Sequence, residues 1–322
     1  MLVYITMIII GFVLLVIGAD LLIKGASNVA KRFKISETLI GLTIVALGTS
    51  APELIITITS ASQGATDLII GNAVGSNLCN ILLILGIMSI IRPVELEKEI
   101  IKLHLPISLF VAIIILGMEL STVLMSQRMI LDRLDGMILI TLFAIYFSYP
   151  VFSEIKNIIN TNKESKKSSD KENINVFLSI FYIIIGVVLL KYGGDFVVDN
   201  ATNIAQEFHL PERVIGLTII AIGTAMPEFV TSIVAVIKKD TSLAVGNLVG
   251  SCVLNLLLIL GIGAIITPLN FSEEFNNNII WLIISTIIIW LLNFVGKKDT
   301  ITKSKGLILL AMFSIYFIEL FI

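Results

Sequence analysis

Two glutamates lie in the middle of long apolar stretches, where an ionisable side chain is costly. Glu53 ends the run Gly48-Thr-Ser-Ala-Pro-Glu53, and Glu228 ends the related run Gly223-Thr-Ala-Met-Pro-Glu228. A charged side chain at bilayer depth costs about 2.5–3.5 kcal/mol on insertion scales, so it normally faces a polar cavity or a partner. Two such costs at matching places need a common explanation, and cation binding supplies one.

Further oxygen-bearing side chains accompany both glutamates at a spacing of four residues. A threonine precedes each glutamate by four, and a serine and an asparagine four apart follow in the next apolar stretch: Thr49, Thr224, Ser76, Asn80, Ser251 and Asn255. This spacing puts two side chains on one helix face when the helix is regular. Carboxylate, hydroxyl and amide oxygens favour hard cations such as Ca²⁺, whereas Zn²⁺ or copper would favour His or Cys.

Pro52 and Pro227 add a second feature to these two runs. Proline has no N–H, so the carbonyls of Gly48 and Gly223 lose their helical partner and the helix kinks or opens there. Freed carbonyls at membrane depth are tolerated where they line a cavity or find another donor. The sequence therefore predicts a broken helix just before each glutamate.

The composition indicates an integral membrane protein. The chain has 57% hydrophobic and 14% charged residues in 322, where a soluble domain carries about a quarter charged residues. The net charge of −2 gives no basis for nucleic-acid binding, and two cysteines with two histidines make neither a disulfide framework nor a zinc site. Because no Ser–His or His–metal arrangement lies at depth, an enzyme is not expected.

Ten apolar stretches are long enough to cross about 30 Å of hydrocarbon as helices. They lie at 3–23, 36–60, 67–91, 103–120, 133–153, 174–194, 211–236, 242–267, 277–296 and 305–321. One polar segment, 154–173, has the composition of a disordered connector and separates the fifth stretch from the sixth. We expect an all-α membrane protein with a first membrane unit at 1–153, a linker at 154–173 and a second membrane unit at 174–322.

The second unit repeats the first. Gly41–Glu53 matches Gly216–Glu228 at nine of 13 positions and Gly71–Ile87 matches Gly246–Ile262 at 12 of 17, both at the same offset in residue number. Because each half holds five spans, an odd number, the second half enters the membrane from the opposite side. Inverted-topology repeats are typical of secondary transporters.

The distribution of basic residues predicts the orientation. Of the 22 Lys and Arg residues, 18 lie in or beside the connections that follow odd-numbered spans. Cytoplasmic loops are enriched in Lys and Arg. This places linker 154–173 in the cytoplasm and both termini outside, in a multi-pass protein of the plasma membrane.

The paired motifs resemble the two α-repeats of the cation/Ca²⁺ exchanger superfamily, and the closest likeness is to the prokaryotic sodium/calcium antiporters. The resemblance implies that Glu53 and Glu228 bind Ca²⁺ with Thr49 and Thr224. It also implies Na⁺ sites beside this centre, drawn from Ala46, Ser50, Ser76, Asn80, Ala221, Ser251 and Asn255. The transported ions and membrane lipid are the implied partners, with no cofactor and no obligate protein partner.

Two positions depart from the family pattern. Ala225 stands where the second repeat usually has a serine, so one hydroxyl is missing. Asn255 stands where some relatives, including potassium-dependent ones, carry an aspartate, so a potassium requirement is not expected here.

The leading hypothesis is an antiporter that extrudes Ca²⁺ against an inward flow of Na⁺ by alternating access. Two carboxylates at one site repel, and a divalent cation, several monovalent cations or protons can relieve that repulsion. A proton/Ca²⁺ antiporter is therefore an alternative. A Ca²⁺-permeable channel with Glu53 and Glu228 as a pore charge cluster is another.

Overall fold

The computed structural model describes the backbone of residues 1–126, 130–164, 175–208, 221–270 and 273–319. Nearly all of this backbone is helical. In hydrocarbon every backbone polar group must be paired inside the protein, and a helix does this within a single segment. The prediction of a helical membrane protein is therefore confirmed for the described residues.

The helices follow one another with few long loops. In the first half they are α1 Leu2–Phe33, α2 Glu37–Ile40, π1 Gly41–Val45, α3 Ala46–Thr49, α4 Ala51–Ser62, α5 Thr66–Leu78, π2 Cys79–Ile84, α6 Leu85–Ile91, π3 Ile100–His104, α7 Leu105–Ser126 and α8 Arg133–Glu164. In the second half they are α9 Val176–Glu207, α10 Ala221–Thr224, α11 Met226–Ile237, α12 Thr241–Leu254, π4 Asn255–Ile259, α13 Leu260–Ile266, α14 Glu273–Leu292 and α15 Lys303–Glu319.

Six helices of the described chain are long and apolar enough to cross a membrane. They are Leu2–Phe33, Thr66–Ile91, Ile100–Gly117, Arg133–Phe152, Val176–Glu207 and Thr241–Ile266. A seventh is the pair Glu37–Thr49 and Ala51–Ser62 if the two bent helices count as one span. Residues 211–220 of the seventh predicted span and 165–173 of the linker lie outside the described residues.

Several helices run past the ends that hydropathy predicts. Helix α1 continues to Phe33 rather than residue 23, and helix α8 continues to Glu164 rather than residue 153. At 1.5 Å per residue, the 32 residues of α1 measure about 48 Å. The helix is therefore longer than the roughly 30 Å thickness of the hydrocarbon, and hydropathy does not predict its polar last turns.

The sequence repeat recurs in the structure. Helices Ala46–Thr49, Ala51–Ser62 and Leu85–Ile91 correspond end for end, at one constant offset in residue number, to Ala221–Thr224, Met226–Ile237 and Leu260–Ile266. The turns that follow α4 and α11 share their backbone conformation, since Gly64 has φ 71° and its counterpart Lys239 has φ 70°. These segments of the two halves are thus built alike.

Short strands outside the helices connect the two halves. Strand β1, Val94–Glu95, pairs antiparallel with β4, Thr300–Ile301, and β2, Ile130–Leu131, pairs antiparallel with β3, Leu269–Asn270. Each ladder joins a connection of the first half to one of the second. Hydropathy does not predict these pairs, because two residues are too few to leave a pattern.

A crossing of small residues brings polar segments of the two halves together. A Cβ added at Gly41 would lie 2.5 Å from the Leu243 carbonyl oxygen, and one at Gly250 would lie 2.6 Å from the Leu42 carbonyl oxygen. Small residues let membrane helices approach this closely. As a result, π1 and α3 lie directly against α12.

Glycines at seven-residue spacing also hold the long helices α1 and α9 together. A Cβ added at Gly18 would lie 2.8 Å from the Gly186 carbonyl oxygen and 2.9 Å from the Leu190 nitrogen, and Gly11 makes the same kind of approach to Gly193. The nearest obstructing atoms belong to the backbone, so no side-chain rotation can relieve them. The two helices therefore pack backbone to backbone.

We expect Gly18→Ala to destabilise this helix pair. Overpacking against backbone atoms costs about 1–3 kcal/mol, which should lower the midpoint of thermal unfolding measured in detergent. Gly117→Ala is the control, because nothing lies within 4 Å of a Cβ at that helical position. Equal midpoints for the two variants would contradict the close packing.

Candidate cation-binding site

Both glutamates begin a helix immediately after a break. Glu53 lies in the first turn of α4 and Glu228 in the first turn of α11, each preceded by a proline at the start of the helix. Ser50, with φ −86° and ψ 9°, separates α3 from α4, and the two helices bend by 45°. Ala225, with φ −83° and ψ 3°, makes the equivalent break. The predicted breaks are confirmed, and because Ser50 lies between Thr49 and Glu53, these two residues do not share one regular helix.

The two glutamates are fully buried, with exposed fractions of 0%. They come from opposite halves of the chain, and Ser50 of the first half contacts Glu228 of the second. The same core holds most of the polar side chains that the sequence singles out, all of them buried: Thr49, Ser50, Ser76, Asn80, Thr224, Ser251 and Asn255.

Hydroxyl groups from both halves surround Glu228. Ser50 Oγ lies 2.9 Å from Glu228 Oε1 and 3.0 Å from Ser251 Oγ, and Ser251 Oγ lies 3.4 Å from the same carboxylate oxygen. A hydroxyl has one proton to donate. With the Ser50 proton donated to Glu228, the one proton of Ser251 can go to the same carboxylate oxygen or to Ser50, and in either case three of the predicted residues are linked.

Thr49 joins this group through Asn247, to which the sequence assigns no definite role. The Thr49 hydroxyl donates to Asn247 Oδ1 at 3.0 Å, and Asn247 Nδ2 donates to Ser232 Oγ at 3.3 Å. By its residue type alone Asn247 could be either a ligand or an interhelical hydrogen-bonding residue, and here it bridges α3 and α11 from α12. It fixes the position of Thr49 beside Ser251, whose hydroxyl lies 3.5 Å away.

Several buried polar atoms of the candidate residues make no hydrogen bond, and most of them belong to the first half. Both carboxylate oxygens of Glu53, the Ser76 hydroxyl and both amide atoms of Asn80 are buried without a hydrogen-bond partner in the described structure. Oε2 of Glu228 and Oδ1 of Asn255 share this state. Buried polar atoms are nearly always paired in proteins, so each of these requires an explanation. An oxygen binds a cation through a free lone pair, so cation binding would explain why these oxygens have no hydrogen-bond partner.

The difference between the two glutamates follows from one substitution between the repeats. Ser50, which contacts Glu228 and Ser251, has Ala225 as its counterpart in the second half. Ala225 is buried and has no hydroxyl to offer Glu53 or Ser76. The serine that the second repeat lacks is thus matched by a Glu53 carboxylate with both oxygens unpaired in the described chain, whereas Glu228 has one oxygen unpaired.

The remaining predicted residues flank this group. The Ala46 carbonyl accepts from the Ser50 nitrogen at 2.9 Å. Thr49 Oγ1 also lies 3.3 Å from it, but its one proton goes to Asn247 at the shorter distance of 3.0 Å, so one lone pair of the Ala46 carbonyl stays available. Its counterpart Ala221 begins α10, and Thr224 ends that helix. The structure brings neither Ala46 nor Ala221 into a hydrogen bond with a glutamate among the described contacts.

The chemistry of the donor set fits a hard cation. Carboxylate, hydroxyl and amide oxygens converge from both halves, and within the described chain the side chains that donate to Glu228 are hydroxyl groups. Two carboxylates without a fixed positive partner repel one another. Mobile cations are the natural means to neutralise them.

Comparison with known proteins agrees with this chemistry. The model of the family described as "Sodium/calcium exchanger protein" matches residues 3–152 and 178–321. The putative antiporter CaxA of Alkalimonas amylolytica is 32% identical over 97% of both chains, and the sodium/calcium exchanger MaX1 of Methanosarcina acetivorans is 31% identical over 97% of this chain and 96% of its own. A structure of the sodium-calcium exchanger NCX_Mj, soaked with 10 mM Na⁺ and no Ca²⁺, superposes with a TM-score of 0.80 at 27% identity, over 98% of this chain and 97% of that one.

Fold and site thus define a multi-pass membrane transporter that exchanges Ca²⁺ for another cation. The chain belongs to the sodium/calcium exchanger family. The resemblance drawn from the motifs is confirmed, as are the assignments to antiport and to Ca²⁺ and Na⁺ transport.

We expect Ala225→Ser to lower the Na⁺ concentration that half-saturates exchange by about two- to tenfold. By the repeat symmetry, the new hydroxyl would stand towards Glu53 and Ser76 as Ser50 stands towards Glu228 and Ser251, and a hydrogen bond contributes about 0.5–1.5 kcal/mol net, which corresponds to a shift of this size. The measurement is Ca²⁺ flux in vesicles as a function of Na⁺. Ser50→Ala should move the value in the opposite direction, and an unchanged Na⁺ dependence in Ala225→Ser would contradict the assignment.

Proposed function

We propose that this protein extrudes Ca²⁺ from the cell in exchange for Na⁺ by alternating access. The observation that carries the proposal is the buried pair Glu53 and Glu228, whose oxygens come from opposite halves and are largely unpaired within the described chain. Since each half contributes one carboxylate, a movement of one half against the other changes the side from which the pair is reached.

Glu53, Glu228, Thr49 and Thr224 form the Ca²⁺ centre in this proposal. Ca²⁺ takes six to eight oxygens in flexible geometry, and two carboxylates with neighbouring oxygens supply such a set. The Thr49 hydroxyl already donates to Asn247, and its remaining lone pairs are available to a cation. Binding of Ca²⁺ removes the repulsion between the carboxylates that would otherwise accompany their burial.

The Na⁺ sites lie beside this centre and use its hydroxyl and amide oxygens. We assign them to Ala46, Ser50, Ser76, Asn80, Ala221, Ser251 and Asn255. The contacts of Ser50 and Ser251 with Glu228 support the assignment, because Na⁺ bound by these hydroxyls would also lie against the carboxylate. Protons would need no such hydroxyls, which favours Na⁺ over H⁺ as the exchanged ion.

Exclusion between the ions provides the coupling. The carboxylates cannot hold full sets of both ions, so Na⁺ binding favours Ca²⁺ release and the reverse. Ligands shift a protein between states only through such differences in affinity. Exchange, rather than leakage of one ion, follows when the site changes sides only with its charges neutralised.

The membrane topology belongs to the same proposal. We assign ten crossings in two inverted units, 1–153 and 174–322, joined by the cytoplasmic linker 154–173, with both termini outside. The recurrence of matching helices at a constant offset supports two like units, and the odd number of predicted spans in each supports their inversion. The bias of Lys and Arg supports the orientation.

Radiolabelled Ca²⁺ uptake tests the function. Proteoliposomes loaded with Na⁺ are diluted into Na⁺-free buffer at clamped pH, with K⁺-loaded vesicles alongside. We expect uptake in Na⁺-loaded vesicles and its loss in Glu53→Gln, because the neutral amide removes one of the two charges that hold Ca²⁺.

Thr286→Val serves as the control variant. Thr286 is buried in α14 and donates to the Leu282 carbonyl of its own helix, so its loss should leave uptake unchanged. Uptake that ignores Na⁺ and follows an imposed pH gradient would indicate a proton antiporter. Uptake that needs neither gradient would indicate a channel.

A further inference from the structure

Asn77 connects the two halves beside the candidate site, although the motif that contains it assigns it no role. It is fully buried in α5. Its Nδ2 donates to the backbone carbonyl of Cys252 at 3.0 Å, and its Oδ1 accepts from Asn255 Nδ2 at 3.0 Å. A chain of two hydrogen bonds therefore runs from α12 through α5 to the start of π4.

The chemistry of this chain fixes the direction of both amides. A backbone carbonyl can only accept, so Asn77 must turn its nitrogen towards Cys252. The Asn77 oxygen can then only accept, so Asn255 must donate to it from its own amide nitrogen. Only the oxygen of Asn255 remains free to face elsewhere, and that atom is buried without a hydrogen-bond partner in the described chain.

An oxygen is the end of an amide that a cation requires, because the NH₂ group carries positive hydrogens. Asn255 follows Ser251 by one helical turn, and Ser251 lies 3.4 Å from Glu228. Residues four apart share a helix face, although the π-helical start at Asn255 shifts this face somewhat. Asn255 thus lies close to the helix face that carries Ser251, and its free oxygen is the end that a cation there would use.

In the other half a thiol takes the place of the amide. The counterpart of Asn77 in the second half is Cys252, and the counterpart of Asn255 in the first half is Asn80. Cys252 and Asn80 line the same narrow cavity and their side chains interact, but in the part of the chain described no amide pairs with Asn80 as Asn77 pairs with Asn255. A thiol is a weak donor and acceptor, so it cannot fix which end of the Asn80 amide faces the site.

We propose that Asn77 is a positioning residue that holds Asn255 with its carbonyl oxygen directed towards transported Na⁺. It touches no ion itself and acts through Asn255. The inference rests on the proposed function, because it presumes that Asn255 serves a Na⁺ site. Asn80, without such a support, turns its amide to suit the ion that is bound.

A double-mutant cycle on the Na⁺ dependence of Ca²⁺ uptake tests this inference. Asn77→Ala should raise the half-saturating Na⁺ concentration about three- to tenfold while the maximal rate at high Na⁺ changes less than about threefold, since only ligand orientation is lost. Asn255→Ala should raise it at least as much. The double variant should match Asn255→Ala within about twofold, because Asn77 then has no ligand left to position.

Asn77→Asp tests whether the hydrogen-bonding pattern of this side chain, rather than its presence alone, sets the Na⁺ dependence. A carboxyl group that keeps its proton can donate to the Cys252 carbonyl and accept from Asn255, as the amide does. We expect its half-saturating Na⁺ concentration within about twofold of wild type. If Asn77→Ala does not accumulate as folded protein by size-exclusion chromatography, Asn77→Ser takes its place in the cycle with the same expectation.

The outcomes separate the inference from the function on which it rests. Wild-type protein without Na⁺-dependent uptake would refute the proposed function. Normal wild-type exchange with effects of the two single variants that multiply in the double variant would refute the role of Asn77 alone. A fall in maximal rate with no change in half-saturating Na⁺ would also refute it, since that pattern indicates lost folding and not a misdirected ligand.

Discussion

The burial of two carboxyl groups, one from each half, in one polar core is the constraint on which the rest of the structure depends. Glu53 and Glu228 are both fully buried, and the side chains that donate to Glu228 in the described chain include Ser50 and Ser251. Like charges at close range cannot both persist in a low-dielectric core without a positive partner. In the proposed mechanism the transported ions are that partner, so the site is most stable when it is loaded.

The surrounding helices are arranged to make this burial attainable. Breaks at Ser50 and Ala225 start new helices just before the glutamates, and a glutamate in the first turn benefits from the positive end of the helix dipole. Close crossings at Gly41 and Gly250 bring α12 against π1 and α3. The hydroxyls and amides of one half therefore reach the carboxylate of the other.

The two halves share a backbone plan but not the same hydrogen bonds. Ser50 supports Glu228, and Asn77 supports Asn255, whereas their counterparts Ala225 and Cys252 give Glu53 and Asn80 no comparable support. In the proposed mechanism the ligands of the second half are thus held in place in advance, and those of the first half stay adjustable. Ions that differ in charge and coordination number can be accommodated by a site with one fixed and one adaptable side.

Much of this arrangement could be predicted from the sequence. The internal repeat, the helix breaks next to Pro52 and Pro227, and the all-oxygen ligand set depend on local pattern and residue type. The roles of Asn77 and Asn247 could not, since they arise from contacts between helices far apart in the chain. Comparison of the two halves also does not single out Asn77, because its counterpart in the second half is a cysteine. Asn80 and Asn255 lie in π-helical segments, where the spacing of side chains differs from that of a regular α-helix. The positions of these segments depend on packing between helices, so the sequence pattern does not predict them.

Equilibrium binding of radiolabelled Ca²⁺ to the purified protein in detergent, measured across a Na⁺ titration, tests the central claim most directly. If one pair of carboxylates serves both ions, Na⁺ displaces Ca²⁺ completely, with a Hill coefficient above one, and Glu228→Gln binds little Ca²⁺ at any Na⁺ concentration. Bound Ca²⁺ that stays constant as Na⁺ rises, or that survives in Glu228→Gln, would contradict a shared site.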